Sequence, residues 1–252
     1  MPQFTTATTA PRLLADRVRR LGAVVLATDL TIEGDLAALM PPDAALHVTR
    51  IPYANPTTPE NLRAMAPHLA VAADLILPGM PLAAIGFGCT SGGVVIGDAQ
   101  VAASVARARP GVPVSAPAQA AVQGLSHLGV RRIALLTPYL AETTAPVLDY
   151  FLAAGFAVTR AFGLGMADDR EIARLAPDTI IAAARQADDP GAEAMFVSCT
   201  ATPVLQLIPQ LEALLGKPVL SSNQALGWAM LRAAGLPARG PGRLFTQGVP
   251  AG

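Results

Sequence analysis

Ala84-Ile85-Gly86-Phe87-Gly88-Cys89-Thr90-Ser91-Gly92-Gly93 and, 110 residues on, Ala194-Met195-Phe196-Val197-Ser198-Cys199-Thr200 read as one structural unit met twice. Cys89 and Cys199 are the only cysteines, and each follows an apolar run and precedes a threonine. The same offset carries Val48-Thr49-Arg50 onto Val158-Thr159-Arg160 and Ala66-Pro67 onto Ala176-Pro177. Leu26 and Leu30 around Asp29 return as Leu136 and Leu140 around Tyr139. Beyond the cysteines, Pro113-Val114 and Gln119-Ala120 return as Pro218-Val219 and Gln224-Ala225. This is the pattern of a duplication, and two copies packed about a pseudo-twofold axis would bring both thiols to one cleft.

Around these runs, short aliphatic stretches alternate with longer amphipathic ones, the signature of βα units and a parallel sheet. Strands are predicted at 23–27, 46–51, 84–88 and 112–115, then at 132–136, 157–162, 194–198 and 218–221. Helices are predicted at 32–40, 60–76, 92–107 and 118–128, then at 142–154, 170–187, 203–215 and 223–234. The fold class is therefore α/β, with two pseudo-symmetric four-stranded parallel-sheet lobes, helices on both faces and a site in the cleft between them. Residues 1–128 form the expected N-terminal lobe and 129–221 the C-terminal lobe, with 222–252 a helix and tail packing back on the first lobe.

The composition fits. Of 252 residues 52% are hydrophobic and only 14% charged, so most elements must be covered on more than one side, as in parallel sheets. A formal charge of zero, without a basic stripe, argues against nucleic acid or membrane-surface partners. Arg17, Arg19 and Arg20 read as a solvated helix face. The most apolar stretch, 69–88, is interrupted by Asp74, Pro78 and Pro81 and reads as helix, turn and strand rather than a membrane span. With no signal-peptide pattern and two free thiols, a cytoplasmic setting is expected. Lys217, the sole lysine, lies in a Gly-Lys-Pro turn unsuited to a Schiff base, and His47, His68 and His127 lack metal-ligand spacing. No glycine fingerprint for a dinucleotide or a phosphate loop follows the first strand. No cofactor and no metal are expected.

Both cysteines fall where a strand is predicted to end and a helix to begin. In parallel α/β sheets this edge binds ligands. Unpaired N–H groups and partial positive charge at a helix start lower a thiol pKa and hold a carboxylate. Cys89 and Cys199 are thus the candidate nucleophile and acid/base. The amides of Thr90, Ser91, Thr200 and Ala201 are candidate anion cradles. Asp29 and Tyr139, just past the first strand of each lobe, complete the candidate set. Each also has an ordinary reading: Asp29 as a helix cap, Tyr139 as a tyrosine at the core rim, Asp168-Asp169 as the cap of the next helix.

The chain resembles the aspartate/glutamate racemase superfamily, and within it the maleate cis–trans isomerase and arylmalonate decarboxylase branch, including the ectoine-utilisation proteins. The resemblance spans nearly the whole chain. It rests on Gly88-Cys89-Thr90-Ser91-Gly92-Gly93, Leu136-Thr137-Pro138-Tyr139, Val197-Ser198-Cys199-Thr200 and Pro218-Val219-Leu220-Ser221-Ser222-Asn223. Cysteine at both sites resembles the isomerases and racemases, since the decarboxylases keep only the second. The resemblance implies two four-stranded lobes, a cofactor-free site between them and a small carboxylate or amino-acid substrate. It implies that Cys89 adds to a double bond while Cys199 serves the opposite face, or that the pair moves an α-proton. Tyr139 matches a substrate-contacting tyrosine.

Two departures stand out. Asp29 occupies a place where the maleate isomerases have asparagine, and Asp169, a candidate substrate contact, corresponds to a second such asparagine. The resemblance makes Asp29 a candidate catalytic residue, receiving an ammonium or hydroxyl group or assisting proton movement at Cys89 as an aspartate does in glutamate racemases. The glutamate racemase pattern is also incomplete, with Thr90 for asparagine and no histidine after Cys199-Thr200. The leading expectation is a two-cysteine isomerase most like maleate cis–trans isomerase. The second is a racemase or epimerase of an amino or N-acylamino acid, in ectoine utilisation. The third is a non-catalytic carboxylate-binding protein. A homo-oligomer is expected in each case.

Overall fold

A computed structural model describes Thr5 and residues 9–247. Eight strands form two separate sheets. β1 (Arg19–Leu26), β2 (Ala44–Ile51), β3 (Ala84–Gly88) and β4 (Val114–Ser115) make the first, in the order β2-β1-β3-β4. β5 (Arg132–Tyr139), β6 (Ala157–Met166), β7 (Ala194–Val197) and β8 (Val219–Ser221) make the second, in the matching order β6-β5-β7-β8. Every pairing is parallel. The two sheets are thus topological copies, as the sequence offset predicts.

In the first lobe the helices are α1 (Ile32–Leu39), α2 (Pro59–Arg63), α3 (Leu69–Asp74), α4 (Thr90–Ile96), α5 (Asp98–Ala106) and α6 (Pro117–His127). The second carries α7 (Ala141–Ala153), α8 (Asp169–Ile172), α9 (Pro177–Ala187), α10 (Ile208–Leu215), α11 (Ser222–Ala233) and α12 (Arg243–Thr246). Several predicted helices are broken where the chain demands it. The 60–76 span divides at a 3-10 turn over Ala66-Pro67-His68, and the 92–107 span at Gly97, whose φ of 95° no helix continues. Pro177 restarts the 170–187 span. Arg19 and Arg20 are not on a helix: they open β1, because the Leu21–Leu26 run behind them pairs on both sides.

Burial alternates along β1 as a doubly covered strand requires. Val24 and Leu26 pack with Leu62, Leu69 and Phe87 on one face, while Leu21, Ala23 and Val25 pack with Ile32 and Leu36 on the other. The cover on that second face also comes from far along the chain. Leu226, Met230 and Leu231 of α11 lie on the first sheet, whereas Ala120, Ala121 and Leu125 of α6 join the core of the second. Each lobe therefore lends a helix to the other, α6 or α11, and α11 also sets Ala225, Trp228 and Ala229 in the second core. The exchange works only because small residues stand at the contacts. A Cβ on Gly86 would lie 2.6 Å from Met230 Sδ, and one on Gly124 would lie 3.0 Å from Leu220 and Leu244.

In the second lobe, Phe196 of β7 is fully buried and packs its ring 5.0 Å from that of Phe151. Phe196→Ala is expected to lower stability by about 3–5 kcal/mol through lost burial and the cavity left behind, measured as a drop in urea midpoint without change in slope.

Candidate active site

The two cysteines stand at equivalent strand ends but in different local structures. Cys89 is extended (φ −150°, ψ 118°) and is the N-cap of α4, where its Sγ accepts the Gly92 amide at 3.2 Å and sits 3.9 Å from Ser91 Oγ. Gly92 is required there, since a Cβ would come within 2.8 Å of that sulfur and 2.5 Å of Met65 Cε. A thiol so placed faces unpaired helix amides, which favour its thiolate.

At Cys199 no helix begins. Its φ is +85°, a left-handed conformation that costs a side-chain-bearing residue about 1–3 kcal/mol. Thr200-Ala201-Thr202 form a turn, and the chain coils into a 3-10 helix only at Leu205–Leu207. Pro203 is the cause, because a residue preceding proline is pushed out of the helical region. The Ala201 amide and the Tyr139 hydroxyl still lie beside the Cys199 thiol and draw its pKa down. Tyr139 is buried, and its own oxygen accepts from Ser198 Oγ at 3.3 Å, so it is not a rim tyrosine with its hydroxyl in water.

One cavity gathers all nine residues singled out from the sequence: Asp29, Cys89, Thr90, Ser91, Tyr139, Asp169, Cys199, Thr200 and Ala201. Leu26, Tyr53 and Thr57 complete the lining. The space is narrow, about 10 Å³, enough for roughly one water. A wider surface groove of about 460 Å³ between Met40 and Arg239 shares no residue with it and carries no nucleophile. Among the described residues no group of three or more His, Cys, Asp or Glu is placed to hold a metal ion.

Bonds between the lobes close the cavity. Thr31 Oγ1 donates to the Ala201 carbonyl at 2.8 Å, and Thr143 Oγ1 to the Thr57 carbonyl at 2.6 Å. Asn55 Nδ2 reaches both Asp168 (3.0 Å) and Asp169 (2.8 Å), and the Thr57 amide reaches the Ala167 carbonyl at 2.8 Å. Asp168 is the cap of α8, accepting the Arg170 amide at 2.9 Å, which leaves Asp169 to face the cavity. Asn223, at the start of α11, holds the second thiol's loop through the Thr200 carbonyl at 2.7 Å. Tyr53, Asn55 and Thr57 escape a motif reading. Their available signal is position: Asn55-Pro56-Thr57 follows the carboxyl end of β2, on the ligand-binding edge.

Electrostatically the site departs from expectation. Burial pushes each thiol up to about 12, more than the amides at Gly92 and Ala201 draw it down. The expected low thiol pKa therefore does not hold in the closed site, because little water and no cation stabilise charge there. Burial likewise raises Asp29, against the Ile32 and Thr31 amides that pull it down. No lysine, arginine or histidine lines the cavity.

The family model described as arylmalonate decarboxylase matches residues 94–245. A maleate isomerase of Nocardia farcinica is 32% identical over 244 residues, covering 91% of this chain and 96% of that protein. A solved structure of the Nocardia farcinica maleate cis–trans isomerase, a cysteine-to-serine mutant with a covalently bound succinylcysteine intermediate, superposes with a TM-score of 0.83 at 30% identity. It covers 91% of this chain and 99% of that one. A liganded double mutant of arylmalonate decarboxylase gives a TM-score of 0.81 at 27% identity, covering 90% and 99%.

Buried neutral thiols predict slow chemistry with ordinary reagents. Iodoacetamide is expected to label the folded, ligand-free protein far more slowly at pH 8 than a free cysteine. The rate should climb about tenfold per pH unit toward the raised pKa, followed by intact mass. Fast labelling that levels off below pH 8 would contradict this.

Proposed function

The chain belongs to the arylmalonate decarboxylase family, and we propose that within it the protein is a cofactor-independent isomerase of a small carboxylate, most like maleate cis–trans isomerase. The observation that carries this is the meeting of both thiols in one closed cavity edged by amides and hydroxyls. Cys89, at the helix start with its sulfur on the Gly92 amide, is the nucleophile. Its thiolate forms a C–S bond to one carbon of the double bond, and the π pair takes a proton from the Cys199 thiol at the neighbouring carbon. Rotation about the resulting single bond follows. The Cys199 thiolate then removes a proton, the C–S bond breaks, and the trans product leaves with both sulfurs in their starting state.

The two local structures suit these two roles. Cys89 has an amide that stabilises a thiolate, while Cys199 has the Tyr139 hydroxyl and a turn held by Asn223. The amides and hydroxyls of Thr90, Ser91, Thr200 and Ala201 hold the carboxylate. The succinylcysteine seen in the related isomerase supports the covalent step. Because both thiols are neutral in the closed site, one proton must be lost before addition, so turnover rises with pH through neutrality. We place the enzyme in the cytoplasm, on the free state of both cysteines, and infer a homo-oligomer, on exposed apolar residues such as Val71, Leu75 and Met80.

Conversion of maleate to fumarate, followed by proton NMR, tests the reading. Cys89→Ala is expected to abolish turnover by at least about a thousandfold with an unchanged melting temperature. Cys199→Ala is expected to be as slow, because the carbon next to the C–S bond then has no thiol to give or remove its proton. Retention of most activity by either variant would remove the two-thiol scheme.

A second reading is favoured by one observation, the unpartnered Asp29 Oδ2 in the cavity. It is a racemase or epimerase of an amino or N-acylamino acid, with ectoine utilisation as its setting. Here the thiols remove and return an α-proton, and solvent deuterium would appear at Cα during turnover. Turnover without such exchange excludes it.

A further inference from the structure

Two aspartates line the thiol cavity, but only one is free to meet a ligand. Asp169 is fully engaged: Thr28 Oγ1 donates to Oδ2, Asn55 Nδ2 donates to Oδ1 at 2.8 Å, and its own amide reaches Asn55 Oδ1 at 3.3 Å. Asp29 is half engaged. Its Oδ1 accepts the amides of Thr31 (2.8 Å) and Ile32 (2.9 Å), which caps α1, while Oδ2 is buried with no partner. The residue is 1% exposed. The Thr200 hydroxyl beside it is directed at the Gly88 carbonyl, 3.4 Å away. A buried acceptor without a donor is unfavourable, and more so when it is charged.

Apart from the Thr200 hydroxyl, which is close enough to draw Asp29 down but donates to the Gly88 carbonyl, the groups around Asp29 do not supply that donor. Asp35 of α1 is held by Asn223 of α11 at 2.8 Å. Asp169 of α8 is an acceptor held by Thr28 and Asn55, and neither thiol that follows β3 and β7 hydrogen-bonds Oδ2. Arg50 of β2 turns its guanidinium to the backbone carbonyls of Leu26, Ala27 and Asp29 (3.0–3.1 Å) and pairs with Glu33 at 2.8 Å. A substrate carboxylate set against Oδ2 would therefore face an acid with no cation between them, and like charges so juxtaposed repel. A nitrogen donor placed there repairs the deficit.

We propose that Asp29 Oδ2 accepts a hydrogen bond from an N–H group of the substrate. The substrate is then a small monocarboxylate whose other end, at Cys199, is a carboxamide or ammonium group, not a second carboxylate. This rests on the thiol cavity being the substrate site, and it names the substrate class within the isomerase reading: a cis-unsaturated half-amide fits both.

Saturated probes that cannot react test it by titration calorimetry on the full chain. Wild type is expected to bind succinamate or 4-aminobutyrate at least about tenfold tighter than succinate, and whichever of the two is preferred identifies the donor. Asp29→Asn keeps the Oδ1 acceptor that caps α1, and should bring the ratio near one or reverse it, with an unchanged thermal melt. Three results would overturn the proposal: succinate bound tighter by wild type, a preference that Asp29→Asn leaves intact, or no binding of any probe. Maleate turnover with succinate preferred would sink this proposal and leave the isomerase standing. Donor-selective binding without any cis–trans turnover would do the reverse.

Discussion

Four acids, Asp29, Cys89, Asp169 and Cys199, share a cavity that no basic side chain lines, and the rest of the site follows from how their protons are held. A buried charge without a partner is unfavourable, so burial holds the thiols neutral. Thr28 and Asn55 hydrogen-bond the Asp169 carboxyl, and the Thr31 and Ile32 amides hydrogen-bond one oxygen of Asp29. Reactivity therefore belongs to the occupied site, where a bound substrate brings its own polar groups, and a closed empty site is chemically quiet.

Duplication supplies two thiols, and divergence makes them unequal. One copy leads straight from strand into helix, so its sulfur sits on the Gly92 amide at the positive end of α4. In the other copy Thr202-Pro203 blocks the helix, Cys199 has φ +85°, and Tyr139 takes the place of helix amides as its neighbour. A reaction with two faces needs such inequality, because one sulfur must be charged while the other carries a proton.

The architecture was legible in the chain because doubly covered strands leave aliphatic runs, and because equal offsets betray a repeated unit. Ala84–Gly88 is observed with the boundaries read from sequence. The cavity lining was legible for a related reason: parallel sheets deliver ligands to strand ends, and Asp29, Cys89, Tyr139 and Cys199 all stand there. Other features were not legible. Pro67, Gly97 and Pro177 break helices that the apolar pattern carries through. The absent helix after Cys199 turns on one proline. The raised thiol pKa depends on how tightly the lobes close, and the role of Asn55 depends on a partner 114 residues away; neither is a property of a local sequence window.

The exchanged helices have a consequence for origins. Each sheet is covered on one face by a helix from the other copy, α6 on one side and α11 on the other. A polypeptide carrying only one copy would have left that face of its sheet bare, with the apolar side of its last helix exposed to water. Such an ancestor could have stood only as an intertwined pair of identical chains. Gene fusion would then have joined partners already bound to one another, and freed the two sulfurs to become different.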